Sequence, residues 1–248
     1  MKKLENKVAV ITGGNSGLGL AAAKSFASNG AKVAITGRNK TTLDSAVKEI
    51  GESAISIVSD VTDLSSIDKA YEQIHKQFGK IDVLAVNAGV FVGGPLANFT
   101  EEMFDANSDI LFKGAFFSVQ KALPYLNDGA SIILTSTALN EKGLGIASAY
   151  SASKAAVRSL ARSFTAELID RKIRVNVISP GAIVTPIFGR GVSEEQKDGS
   201  IAFFASYAPA KRLGTVDEVA SGFLFLASDD SSYMYGSELV IDGGVKAI

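Results

Sequence analysis

Tyr150 and Lys154 stand four residues apart near the start of a helix-period segment, a spacing that places both side chains on one face about one turn apart. A phenol with a pKa near 10 is a poor acid or base at neutral pH. A neighbouring ammonium favours the phenolate and draws that pKa toward the working range. Tyr150 can then deliver a proton to an oxygen or remove one, with Lys154 tuning it.

A second constellation lies near the amino terminus. The run Val8-Ala9-Val10-Ile11-Thr12-Gly13-Gly14-Asn15-Ser16-Gly17-Leu18-Gly19 reads as strand, glycine turn and helix. Gly13 permits a sharp exit from the strand. Gly17 lets the backbone approach a pyrophosphate with no Cβ in the way, and Gly19 allows close packing of helix on sheet. The helix that follows presents free N–H groups and its positive dipole end. Gly13, Asn15, Ser16, Gly17, Leu18 and Gly19 are therefore candidate contacts to a dinucleotide.

These groups need a scaffold. Short apolar, β-branched runs alternate with longer helix-period segments, which predicts βαβ units around a parallel sheet. Strands are expected at Val8 to Thr12, Lys32 to Thr36, Ala54 to Val58, Val83 to Val86, Ser131 to Thr135, Arg174 to Ile178 and Leu239 to Ile241. Helices are expected at Gly17 to Ser28, Thr41 to Ile50, Ser65 to Phe78, Glu101 to Leu126, Tyr150 to Asp170 and Val216 to Ala227. The fold class is thus α/β, a doubly wound, Rossmann-like, seven-stranded parallel sheet with helices on both faces. No linker or repeat divides the chain, so residues 1–248 read as one nucleotide-binding and catalytic domain. The least regular stretch, residues 186–211, follows a strand end and combines Gly189 and Gly191 with a charged patch and the aromatics Phe203, Phe204 and Tyr207. It is a candidate substrate lid.

The T-G-x-x-x-G-x-G spacing of the turn differs from G-x-G-x-x-G and resembles the short-chain dehydrogenase/reductase family. Further motifs carry the resemblance along nearly the whole chain. Asp60-Val61 is similar to the pair beside the adenine, and Asn87-Ala88-Gly89 to the motif closing the fourth strand. Tyr150 to Lys154 matches Y-x-x-x-K, Pro180-Gly181 the turn after the sixth strand, and Ile241-Asp242-Gly243-Gly244 the carboxyl-terminal ending. The resemblance implies an NAD(P)-dependent oxidoreductase in which Tyr150 protonates a carbonyl oxygen as hydride reaches its carbon, or runs the reverse as an alcohol dehydrogenase. Lys154 would also bond the nicotinamide ribose. Ile183 would offer backbone contacts to the carboxamide, and Thr185 a nearby hydroxyl.

Two positions depart from the family. The hydroxyl that holds the substrate oxygen lies thirteen residues before the tyrosine, which is Thr137 here instead of serine, with Ser136 beside it. Only one of two neighbours on a strand can face the substrate, and Thr137 is favoured. The family's proton-relay asparagine is replaced by Leu111, with Asn107 one turn away as a possible substitute. For the cofactor, Gly37 stands where NAD users usually carry an acid, and Arg38 follows it. A guanidinium there favours NADP over NAD, although Ser16 is not the second basic residue many NADP users have, and dual use stays open.

Phe91, Leu139, Leu144, Phe188, Phe203 and Tyr207 suggest a pocket for a bulky apolar ketone or alcohol. The lid aromatics could equally serve only to pack the lid. Ala152, Ala155, Ala156 and Ser159 permit close helix approach, and the family resemblance implies a homotetramer; alternatively they let the helix pack on its own sheet. A nucleotide-binding sensor or scaffold with weak turnover is the competing function, followed by a lyase or isomerase that reuses the tyrosine.

Composition removes other classes. His75 is the single histidine and reads as a surface residue of the helix Ser65 to Phe78, which leaves almost no material for a Ser-His-Asp hydrolase or a multi-histidine metal site; with no cysteine there is no thiol nucleophile or thiolate metal site, and no metal is expected. The net charge of −1 has its signs interspersed, so no nucleic-acid surface is expected. The run from Lys2-Lys3 to Val8 leaves no room for a signal peptide, and no apolar run approaches the ~20 residues that cross a bilayer. The expectation is a cytoplasmic enzyme with no membrane partner.

Overall fold

The computed structural model describes residues 2–186 and 193–248. Among them lie seven parallel strands: β1 (Val8–Thr12), β2 (Lys32–Gly37), β3 (Ala54–Val58), β4 (Ile81–Val86), β5 (Leu126–Thr135), β6 (Arg174–Pro180) and β7 (Glu238–Ile241). Their spatial order is β3-β2-β1-β4-β5-β6-β7. The helices are α1 (Gly17–Ser28), α2 (Lys40–Ile50), α3 (Leu64–Phe78), α4 (Glu101–Asn107), α5 (Gly114–Ala122), α6 (Ser148–Leu168), α7 (Glu194–Tyr207) and α8 (Val216–Ala227).

The central strands are buried on both faces, which is why they read as unbroken apolar runs instead of alternating ones. One face packs Ile67, Tyr71 and Ile74 of α3, Val119 of α5 and Phe164 of α6 against Val10, Leu84 and Ile132. The other packs Phe26 of α1, Leu43 of α2 and Phe223 of α8 against Ile11, Ile35 and Ile133. Even the charged first residue of β6 is buried. The Arg174 guanidinium donates to the carbonyls of Leu226, Ser228 and Ser231 at 3.1, 3.2 and 3.1 Å, so no donor is stranded on that side.

After β3 the chain crosses to the far side of β1, and β1 and β4 pair with Thr12 beside Val86. The loops leaving these two strands turn to opposite faces and open a crevice at their carboxyl ends, where open α/β sheets bind ligands.

The expected helix from Glu101 to Leu126 is not continuous. α4 passes into a π-helical stretch, Ser108–Lys113, before α5 resumes. It ends at Ala122 because Pro124 cannot continue the hydrogen-bond ladder, and Leu126 already begins β5, which is longer than expected. α6 begins two residues before Tyr150. The stretch expected to be irregular contains α7, opened by a capping box between Ser193 and Gln196. His75 lies exposed on α3, as its helix phase implies. No helix among the described residues is long and apolar enough to cross a membrane, and no group of His, Asp and Glu among them could hold a metal.

Candidate active site

The glycine turn is shaped by absent side chains and braced from β4. Gly13 has φ +65°, and a Cβ there would stand 2.8 Å from the Ala88 Cα. A Cβ on Gly19 would run into the Gly13 carbonyl, so α1 can lie this close to the turn only without one. Thr12 Oγ1 accepts from the backbone N–H groups of Asn87 and Ala88, both at 3.0 Å. The Asn87 amide donates to the carbonyls of Thr12 and Gly13 at 3.3 and 3.2 Å. Asn87 thus holds the turn in shape. Its partner Thr12 was not among the expected site residues, although the threonine heading the glycine motif was its visible signal.

The amino end of α1 differs from those of α2, α3, α4, α7 and α8, whose caps Asn39, Asp63, Thr100, Ser193 and Thr215 accept backbone bonds. Ser16 makes no side-chain cap bond, and the first turn of α1 holds no acid. That end keeps N–H groups and dipole for an anion, which suits the pyrophosphate of a dinucleotide.

Across the crevice, α6 and the loop after β5 bring Thr137, Tyr150 and Lys154 together. The Thr137 hydroxyl is hydrogen-bonded to the Tyr150 phenol. Burial raises the phenol above its ordinary 10, and the Thr137 bond opposes that rise. Lys154 is 5% exposed. Burial lowers its ammonium from 10.5 to about 8, and Nζ donates to the Thr135 carbonyl at 2.7 Å. Ser136 faces the other way and donates to the Lys154 carbonyl at 2.8 Å. The Phe91 ring stands edge-on to Tyr150, with centroids 5.0 Å apart.

Leu111 is buried in the π-helical stretch. A Cβ on Gly89 would lie 3.4 Å from Leu111 Cδ2 and 4.0 Å from Lys154 Nζ, so an apolar side chain borders the lysine's surroundings. The Asn107 amide donates elsewhere, to the carbonyls of Val92 and Met103 at 2.9 and 3.0 Å. Its Oδ1 is buried without a partner among the described residues.

At the end of β2, Arg38 is 70% exposed, 4.0 Å from Asp60, whose other oxygen accepts from the Thr62 N–H and hydroxyl. Ile183 forms a parallel bridge with Gly214 through the flanking groups of Ala182 and Val184, which turns its own N–H and C=O to the opposite side. Thr185 lies beside Gly17, and Gly181 closes on Ile241 through its N–H. Of the expected pocket, Leu139 and Leu144 are half-buried, whereas Phe188 lies outside the described residues. Phe203 is exposed and stacks on Tyr207, which packs against Ala138, Ala208 and Val245.

A family model described as enoyl-(acyl carrier protein) reductase matches residues 13–246. Oxidoreductase asL5 of Sarocladium schorii is 40% identical over all of this chain and 99% of its own. The 3-oxoacyl-[acyl-carrier-protein] reductase FabG of Thermotoga maritima is 37% identical over 98% of this chain and 99% of its own. Among solved structures, levodione reductase superposes with a TM-score of 0.93 at 31% identity, covering 98% of this chain and 99% of that one. The chain belongs to the short-chain dehydrogenase/reductase family and is an NAD(P)-dependent oxidoreductase.

Proposed function

We propose that the chain is a carbonyl reductase, or in reverse a secondary alcohol dehydrogenase, with Tyr150 as proton donor and acceptor. The observation that carries this reading is the meeting of Thr137, Tyr150 and Lys154 at the edge of the crevice that the glycine turn also borders. A nicotinamide held in the crevice would supply or accept the hydride. Tyr150 Oη delivers its proton to the carbonyl oxygen, and Thr137 holds that oxygen by a hydrogen bond. A phenol raised by burial is protonated at neutral pH, so Tyr150 is set as an acid. The Lys154 ammonium stabilises the phenolate left behind. Gly13, Asn15, Ser16, Gly17, Leu18 and Gly19 would hold the pyrophosphate, Asp60, Val61, Ala88 and Gly89 the adenosine side, and Pro180, Gly181, Ile183 and Thr185 the nicotinamide side.

NADP(H) is the preferred cofactor in this reading. Arg38 is exposed at the end of β2, Gly37 brings no carboxylate, and an ion pair at 4.0 Å leaves the guanidinium free to turn to a phosphate. The substrate is a bulky apolar ketone or alcohol resting on Phe91, Leu139 and Leu144, with α7 and its aromatics as the lid. The exposed Ala152 and Ser159 on α6 support a homotetramer, and the absence of cysteine fits a cytoplasmic protein.

The test follows NADPH and NADH oxidation with cyclohexanone, acetophenone and ethyl acetoacetate. Turnover abolished in Tyr150→Phe supports the reading, and Arg38→Leu should weaken NADPH binding about tenfold while sparing NADH. Leu111 beside Lys154 favours one second reading, a cofactor-binding sensor. Tight cofactor binding with no turnover on any carbonyl would select it.

A further inference from the structure

Glu238 opens β7, with its side chain 9% exposed. Its Oε1 accepts from Ser179 Oγ at 2.6 Å and from Asn140 Nδ2 at 2.7 Å. Its Oε2 accepts from Lys246 Nζ at 2.7 Å and from Arg158 Nε at 3.3 Å. The donors come from the end of β6, the loop after β5, the segment after β7 and α6. Burial alone would push the carboxyl up, but the bonds from Lys246, Ser179 and Asn140 outweigh it and hold the group down at about 2.

Asn140 transmits this anchor toward the reacting groups. One amide hydrogen goes to Glu238 and the other to Ser136 Oγ at 3.1 Å. Its backbone N–H closes a turn onto the Thr137 carbonyl at 3.2 Å. The Ser136 hydroxyl in turn donates a hydrogen bond to the Lys154 carbonyl. Thr137 therefore sits inside a turn pinned at both ends. Arg158, one helical turn beyond Lys154, reaches the same carboxylate and also the Gly236 carbonyl at 3.1 Å. The loop bearing Thr137 and the helix bearing Tyr150 and Lys154 are tied to a single buried anion.

We infer that Glu238, acting through Asn140, Ser136 and Arg158, is a positioning residue that sets the spacing between the Thr137 hydroxyl and the Tyr150–Lys154 face of α6. The inference rests on the reading of those three groups as the reacting ones. Thr137 and Tyr150 must meet the same substrate oxygen, and a displacement of about 1 Å at such a site can lower turnover about a hundredfold. A buried ion pair is weak evidence for stability in itself, since apolar replacements of equal volume often do as well. What this one adds is a fixed geometry between segments far apart in sequence. The anchor extends to the substrate side. Lys246 also pairs with Glu141 at 3.2 Å, and Lys142 Nζ donates to the Val245 carbonyl at 2.6 Å. Val245 packs with Ala138 and Ala208, beside the end of α7.

The experiment compares Asn140→Ala, Lys246→Met and Lys246→Arg with the unaltered enzyme, using NADPH and the ketone of the panel turned over fastest. Asn140→Ala is expected to lower kcat about tenfold or more while NADPH affinity, read by fluorescence, stays within about twofold. Lys246→Met should give a smaller fall in kcat, and Lys246→Arg should restore it. Unchanged kcat in both Asn140→Ala and Lys246→Met overturns the inference. So does a fall in kcat that only tracks the folded fraction measured by urea unfolding. If Asn140→Ala does not fold, the Lys246 pair decides by the same criteria. Tyr150→Phe keeps the two failures apart: turnover lost in Tyr150→Phe but untouched in the anchor variants sinks this inference alone. No turnover by the unaltered enzyme, or full turnover in Tyr150→Phe, removes the reading beneath it and this inference too.

Discussion

The glycine turn after β1 and the corner where α6 meets the loop after β5 lie at the same edge of the sheet, yet they are held by different means. The turn owes its shape to missing side chains at Gly13 and Gly19 and to backbone groups braced by Thr12 and Asn87. The corner owes its shape to side chains drawn from distant segments, with Ser136, Asn140, Arg158 and Glu238 bonded in series. A shape made by absence fails when an atom is added. A shape made by convergence fails when an atom is removed, and it can fail in function before it fails in stability.

Five substitutions would break or sharpen this contrast. The largest effect is expected from Tyr150→Phe at the corner: turnover falls about a thousandfold, near 4 kcal/mol of barrier, with cofactor affinity unchanged. Steady-state assay with calorimetric titration of NADPH checks both halves. Next comes Gly13→Ala in the turn. A left-handed backbone with a side chain costs about 1–3 kcal/mol, and the contact with Ala88 adds to it. Urea unfolding should show that loss together with weakened cofactor binding, and a neutral result would mean the turn adapts.

Thr137→Val should reduce kcat about tenfold with stability little changed, because it deletes a bond to the reacting oxygen. Ser136→Ala should instead destabilise by about 1 kcal/mol and lower kcat less, since its hydroxyl bonds the helix backbone. Equal outcomes would erase the distinction between the two hydroxyls.

The last effect concerns Lys154 and pH. Its folded pKa of about 8 lies below the ordinary 10.5, so between those values the unfolded chain binds more protons and stability rises with pH. Lys154→Met should flatten that rise in urea titrations across the window. An unaltered slope would place its origin elsewhere.

The two regions also differed in legibility. The turn is local, and the Val8–Thr12 strand, the glycine spacing and the Gly17–Ser28 helix were readable from residue types in order. The same holds for Tyr150 and Lys154, which one helix phase places together. Ser136 and Thr137 could be ranked only by analogy, because which way each hydroxyl turns depends on the packing of α6. The interruption of the Glu101 to Leu126 helix was missed because a π-helical turn leaves the apolar spacing nearly unchanged. α7 was missed although Ser193 and Gln196 spell a capping box, since none of its residues is fully buried and no helical stripe marks it in the sequence. Glu238 gave no signal at all: beside the apolar run that begins at Leu239, a single acid reads as the solvated end of a strand.

What residue order alone determined were the properties carried by neighbours in the chain: the alternation of strands and helices, the glycine turn, the shared face of Tyr150 and Lys154, and the chemical classes closed off by one histidine and no cysteine. What tertiary structure decided was every relation between segments. It brought Thr137 to the phenol, buried Lys154 and lowered its pKa, set Leu111 against Gly89, and gathered four donors around Glu238. The physical reason is that burial and hydrogen-bond partnership are set by what packs against a side chain, and the packing partners here lie up to about a hundred residues away, as Asn140 and Glu238 do.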